Sequence, residues 1–159
     1  MRIGFGKDIH PLEEGRRLRL GGIDIPSDTG PVGHSDGDAL LHALTDSILG
    51  ALALGDIGTH FPDNDPKWLN ADSEVFLQEA VRWMEERGFA LVNVDSTVSI
   101  ERPKLRPHLE SIRENIAEVT GIGKEFISVK AKSGNGIGAI GKGLAVKAEA
   151  CVLLTKVGE

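Results

Sequence analysis

The spacing of hydrophobic positions along this chain changes several times, and each change marks an element. Ile3 and Phe5 open a weak alternation over residues 2–10, which predicts a strand. Residues 17–25 place Gly21-Gly22 between two short apolar runs and predict a hairpin. Over residues 35–54 the period lengthens to that of a helix. Leu41, Leu44, Ile48 and Leu52 form its apolar stripe, with Ser35 as N-cap and Asp38 at N3. Gly55, Gly58, Pro62 and Pro66 mark residues 55–70 as loop. A second helix runs from about residue 73 to 87 and stops at Gly88. Val92, Val94, Val98 and Ile100 then keep one strand parity, interrupted by Ser96 and ended before Pro103. A third helix covers about residues 107–120, up to Gly121. Residues 126–132 and 144–154 predict two closing strands around a glycine-rich connection.

Strands and helices interleave, so the expected class is α+β or α/β, a mixed β-sheet with helices on one face. The other face would be bare in a monomer, which implies a closed symmetric oligomer. The 159 residues suit a single domain spanning 1–159. Aromatics are only 4% of the chain, so its core must come mainly from Leu, Ile, Val and Ala. The net charge of −6 argues against nucleic-acid binding, which needs clustered Lys and Arg. It leaves room for a phosphorylated small ligand held by metals or backbone amides. Cys151 is the only cysteine; no intrachain disulfide can form, a cytoplasmic setting is compatible, and its apolar neighbours predict a buried thiol. The sequence contains no apolar run long enough to span a membrane, and its first residues lack a signal peptide's hydrophobic segment.

Asp8 and His10 are two apart, so on a strand both side chains point the same way and can reach one metal. His42, on the first long helix, is the best third ligand; Asp38 and Asp46 flank it at helical spacing, and either can orient its ring. Three protein ligands leave zinc an open fourth position. A strand end with two polar residues and a solvated helix histidine explain the same letters. His34 and Ser35 stand at the helix entrance, where first-turn amides attract phosphate, and an ordinary cap accounts for them as well. The segment Phe61-Pro62-Asp63-Asn64-Asp65-Pro66 reads as a surface turn, and Asp46 and Asp56 as ordinary surface acids. Gly136-Ile137-Gly138-Ala139-Ile140-Gly141 fits G-x-G-x-x-G, but a strand follows where a dinucleotide fold needs a helix. Its glycines and Ser133 can still approach a phosphate.

Together these segments resemble the 2-C-methyl-D-erythritol 2,4-cyclodiphosphate synthase family. The resemblance rests on GKDIH at 6–10, GG at 21–22, HSDGDALLHALTDSILGALALGDIG at 34–58, FPDNDP at 61–66 and RPKL at 102–105. It implies a metal-dependent phosphorus–oxygen lyase that cyclises 4-diphosphocytidyl-2-C-methyl-D-erythritol 2-phosphate and releases CMP in non-mevalonate isoprenoid synthesis. It further implies a chorismate-mutase-like homotrimer with active sites between subunits. Asp8, His10 and His42 match the family's Zn²⁺ ligands, and a Mg²⁺ or Mn²⁺ ion accompanies the substrate diphosphate. His34 and Ser133 match the positions that stabilise the transition state. Asp8, Ile9, His10, His34, Ser35, Asp56, Ile57, Gly58, Phe61, Pro62, Asp63, Asn64 and Asp65 match the substrate site. So do Lys132, Ser133, Gly134, Asn135, Ala139 and Lys142 in the C-terminal loop. Ile100, Glu101, Arg102, Pro103, Lys104, Leu105 and Arg106 match the cytidine site. Many relatives read Thr-Thr-Thr-Glu where this chain has Lys132-Ser133-Gly134-Asn135, so Asn135 stands where they carry a metal-binding glutamate.

Overall fold

A computed structural model describes residues 1–158. Its first strand, β1 (Arg2–Glu14), extends beyond the expected stretch and leads to a small hairpin of β2 (Leu18–Leu20) and β3 (Ile23–Ile25). Gly21 and Gly22 turn that hairpin with φ of 61° and 78°, which L side chains adopt only at a cost. Next come β4 (Thr29–Pro31), α1 (Ala39–Ala51) and the single-turn α2 (Ile57–His60). The rest of the chain forms α3 (Ser73–Glu86), β5 (Phe89–Ser99), α4 (Leu109–Thr120), β6 (Ile127–Lys132), α5 (Gly138–Gly141) and β7 (Ala145–Lys156). The main sheet has the order β4-β1-β7-β5-β6, with β5 and β6 parallel and the other pairs antiparallel. It is the expected mixed sheet. The two closing strands flank β5 and do not pair with each other.

α1 is buried on nearly every side, not only along its leucine stripe, because it packs on β1 and β7 and also against α3. Two glycines make this possible. A Cβ on Gly4 would lie 1.8 Å from the Ser47 carbonyl oxygen, and one on Gly6 would lie 2.0 Å from that of Ala43. The inward face of β1 therefore reads Gly4, Gly6, Asp8, His10: two positions that admit the helix, then two polar groups beside it. The outward positions leave Ile3, Phe5 and Ile9 bare at 72%, 61% and 58% exposure. Helices cover only the other face, through α1 on β1 and β7, α3 on β5 and α4 on β6.

Several local expectations need correction. α1 is capped by Asp38, not Ser35, because Gly37 takes a φ of 71° and a right-handed helix cannot pass through it. Asp38 accepts from the amides of Leu41 (3.0 Å), Gly21 (2.9 Å) and Gly22 (2.7 Å), locking the hairpin to the helix start. Burial nevertheless pushes its pKa up. The loop over 55–70 contains α2 and a 3-10 turn at Pro66–Trp68. In β5 a bulge between Leu91 and Asn93 moves the inward position from Val92 to Leu91. Ser96 stays inside because its hydroxyl donates to the Ser128 carbonyl at 2.9 Å; unpaired there, it would cost about 1–3 kcal/mol. Cys151 is half-exposed, not buried, since it pairs with Phe5 on the bare face. Among the described residues no helix is long and apolar enough to cross a membrane.

Candidate metal centre and active site

Asp8 and His10 project from β1 toward α1, and His42 meets them from the helix. Their ligating atoms all lie within 4.8 Å of one another. His42 Nδ1 is 3.2 Å from Asp8 Oδ2. His10 Nδ1 is 2.7 Å from the same oxygen. That nitrogen is not aligned for a hydrogen bond and is buried without any hydrogen-bond partner. Burial alone would raise the Asp8 pKa, but contacts with His10 and His42 hold it well below the usual carboxylate range. Burial would likewise lower His42, yet the Asp8 carboxylate raises it above its ordinary value.

The set fits a divalent metal. One carboxylate and two imidazoles are the donors zinc takes, three of them leave a position open for substrate, and the orphaned His10 nitrogen lacks the partner a cation would supply. His42 Nε2, on the far side of the ring, is 2.8 Å from Ser73 Oγ and 3.1 Å from Ser35 Oγ. Neither Asp38 nor Asp46 orients the ring. Asp38 is consumed by its three amides, and Asp46 accepts from the Ile57 amide at 2.7 Å. Burial raises the Asp46 pKa, so it is not the plain surface acid its spacing suggests.

The three groups open into a cavity of about 500 Å³ that also takes in His34, Ser35, Ile57, Gly58 and Phe61 to Asn64. His34 Nε2 sits 3.3 Å from the Asp65 carbonyl oxygen, which holds the ring beside the cavity. At the helix entrance Ala39 to Leu41 are buried and the Asp38 side chain takes the Leu41 amide, so His34 and Ser35 approach the cavity from the preceding loop. Ile9 points to the opposite sheet face and does not line the cavity. Asp56 instead caps α2, through Thr59, and the Asp65 carboxylate caps the turn at Pro66–Trp68. Trp68, Phe76 and Gly33 line the cavity without having been expected there. Phe61, Trp68 and Phe76 pack mutually at 4.7–5.6 Å, and the Phe76 ring lies 6.1 Å from His42. In a chain with two Trp and five Phe, that concentration gives the cavity an apolar wall beside the centre.

The remaining candidates gather elsewhere. Glu101 to Lys104 and Lys142 line a second cavity of about 1020 Å³. Ile100, Pro103 to Arg106, Lys132 and Ser133 line a third of about 250 Å³. Glu101 ties the two parts together by accepting from the Gly134 amide at 2.9 Å. Ser133 Oγ donates to Asn135 Oδ1 at 3.0 Å, and Asn135 adopts a φ of 50°. Ala139 is exposed on α5. Asp8 is level with Ala148, Val98 and Ala131 on successive strands. Three strand spacings put the β1 centre and the β6 end about 14 Å apart. Within one chain, then, the cavity at Asp8, His10 and His42 and the 100–106 and 132–133 cluster are separate features of the sheet.

Fold and centre together define a mixed-sheet protein with an Asp-His-His cluster fit for a divalent metal at the junction of a strand and a helix. The YgbB family profile matches residues 1–155, and this chain belongs to that family. It is 53% identical over 150 residues to the 2-C-methyl-D-erythritol 2,4-cyclodiphosphate synthase of Salinibacter ruber, covering 94% of this chain and 96% of that one. To the protein of the same name from Fusobacterium nucleatum it is 50% identical, covering 98% of each. A solved 2C-methyl-D-erythritol-2,4-cyclodiphosphate synthase in its CDP-bound form superposes with a TM-score of 0.91 at 45% identity, covering 97% of this chain and all of that one.

Proposed function

We propose that this chain is a cytoplasmic, metal-dependent lyase. It converts 4-diphosphocytidyl-2-C-methyl-D-erythritol 2-phosphate to 2-C-methyl-D-erythritol 2,4-cyclodiphosphate and CMP, in the non-mevalonate route to isoprenoids. The observation that carries the reading is the Asp8, His10 and His42 centre, with its orphaned His10 nitrogen, in a family whose relatives bear that enzyme's name. In the reaction an oxygen of the 2-phosphate attacks the β-phosphorus. The bond from that phosphorus to the oxygen bridging the α-phosphate breaks, and CMP leaves with the bridging oxygen. One P–O–P linkage replaces another, and no water is consumed.

Such a transfer needs positioning and charge neutralisation more than covalent help. The three ligands would hold a zinc ion, which would supply a Lewis acid and template for the attacking phosphate. Asp8, His10 and His42 would hold that position, and the aromatic wall of Phe61, Trp68 and Phe76 would give the substrate an apolar surface beside it. His34 and Ser133 stabilise the charge that develops on the phosphoryl oxygens. Ile57, Gly58 and Phe61 to Asn64 enclose the sugar-alcohol portion, while Ile100 to Arg106 hold cytosine, largely through backbone groups. A Mg²⁺ or Mn²⁺ ion accompanies the diphosphate.

The separation of the two residue groups within one protomer supports active sites shared between chains, and the bare apolar sheet face supports association. We infer a homotrimer, the number three resting on family resemblance. Elemental analysis should find about one zinc per subunit in wild type and a clear loss in His42→Ala; equal content would contradict the ligand assignment. Mixing inactive His42→Ala subunits with inactive Lys104→Glu subunits should restore part of the activity. Verified mixed trimers that stay inactive would argue against shared sites.

A further inference from the structure

The polar partners of His42 make a proton-ordered chain that the proposed reaction does not use directly. Ser73 is fully buried at the start of α3, although Asp72 is that helix's cap. Its hydroxyl makes a short contact with Asp36 Oδ1, and its amide donates to Asp36 Oδ2 at 3.1 Å. Asp36 Oδ1 also accepts from the Asp38 amide at 3.1 Å. The Arg19 guanidinium faces the same carboxylate, with Nε 3.7 Å from Oδ2, and reaches Asp72 and Glu74 on its other side.

A hydroxyl has one proton to give and two lone pairs with which to accept. The carboxylate at Asp36 can only accept, so the Ser73 proton is committed to it. What Ser73 turns toward His42 Nε2, 2.8 Å away, is a lone pair. The imidazole must therefore carry hydrogen on Nε2. Were Nε2 unprotonated, two lone pairs would confront each other at that distance inside the protein. Ser35 Oγ, 3.1 Å from Nε2, already accepts from the Gly37 amide at 3.3 Å and can share the same N–H.

We propose that Ser73 and Asp36 are positioning residues that hold His42 as its Nε2–H tautomer, so that Nδ1, facing Asp8, is the lone pair offered to the metal. This deepens the functional reading above and rests on it. It assigns the orienting role to a serine–carboxylate pair on other elements, with the Arg19 charge facing the carboxylate. Outer partners of this kind set ligand basicity and ring orientation, and their removal lowers metal affinity by roughly 10- to 100-fold.

The test uses metal-free full-length protein titrated with Zn²⁺ against a chromophoric chelator. Ser73→Ala should bind zinc roughly 10- to 100-fold more weakly, with its circular dichroism and melting curve still those of a folded protein. Asp36→Asn should be intermediate, because the amide oxygen still accepts from Ser73 but the charge is gone. Nitrogen-15 histidine spectra of zinc-loaded wild type give a second measurement that needs no variant to fold. His42 should show a protonated, slowly exchanging Nε2 and a metal-shifted Nδ1. Metal on Nε2, or a folded Ser73→Ala with wild-type zinc affinity, overturns the inference while leaving the lyase reading intact. A wild-type protein that takes up no zinc overturns both.

Discussion

Gly6→Ala isolates what brings His42 to the strand. The new methyl would sit 2.0 Å from the Ala43 carbonyl oxygen, 2.7 Å from the Ser47 amide nitrogen and 2.9 Å from the Asp46 Cβ. Two of these neighbours are helix backbone, which cannot rotate away as a side chain would. Restoring ordinary contact requires α1 to retreat by about 1.4 Å beside Ala43. His42 is the next residue and moves with it, while Asp8 stays on the strand. Functional constellations tolerate about 0.5 Å of error, so the centre should open. The overpacking costs about 1–3 kcal/mol of stability. Zinc affinity should fall by at least the roughly 10- to 100-fold seen when only an orienting partner is lost. Gly50→Ala is the control, because its methyl meets only the Phe5 carbonyl at 3.9 Å. It should stabilise the helix by about 0.5–1 kcal/mol and leave zinc binding alone. Both variants are read by thermal melting and chelator competition. A folded Gly6→Ala that binds zinc within twofold of wild type would refute the claim that close helix approach builds the centre.

Other expectations follow from the same geometry. In metal-free protein the Asp8–His42 pair contributes stability that is complete below the unfolded imidazole pKa of about 6.5 and fades as pH rises through the raised His42 value. The melting difference between wild type and His42→Asn should therefore shrink with rising pH, and a constant difference across that range contradicts the pairing. Asp46→Ala frees the Ile57 amide that holds one cavity wall; it should cost about 1 kcal/mol of substrate binding, or roughly fivefold in KM, with zinc content unchanged. An unaltered KM would show that the wall is held otherwise. Asn135→Glu should lower the half-saturating Mg²⁺ concentration by roughly 5- to 150-fold, at a cost of about 1 kcal/mol because the site is left-handed. An unchanged Mg²⁺ requirement would mean that residue 135 does not face the ion.

The placement of Asp8 and His10 together on β1 is legible because strand parity is local: residues 8 and 10 share a face whatever the strand pairs with. His42 was legible as a polar position off the leucine stripe of α1. Its orienting partners were not, because a serine at a helix start reads as a cap, and only the fold shows Asp72 capping while Ser73 turns inward. The same limit hid Trp68 and Phe76, which look like loop and core until α3 folds over the cavity. The cap of α1 is not legible in the sequence because its location depends on the backbone angle at Gly37. Strand order was beyond reach, since β7 inserts between β1 and β5 through pairings far apart in sequence. The bulge in β5 then defeated a strict two-residue alternation.

The central claim is that an internal phosphate, not water, attacks the diphosphate. Purified protein loaded with zinc should be incubated with 4-diphosphocytidyl-2-C-methyl-D-erythritol 2-phosphate and Mg²⁺ in ¹⁸O-water, and the products weighed by mass spectrometry. Cyclisation yields CMP and a cyclic diphosphate, both free of ¹⁸O. A linear bisphosphate carrying one ¹⁸O beside CMP would mark a hydrolase, and intact substrate a protein without this activity; either result would contradict the account.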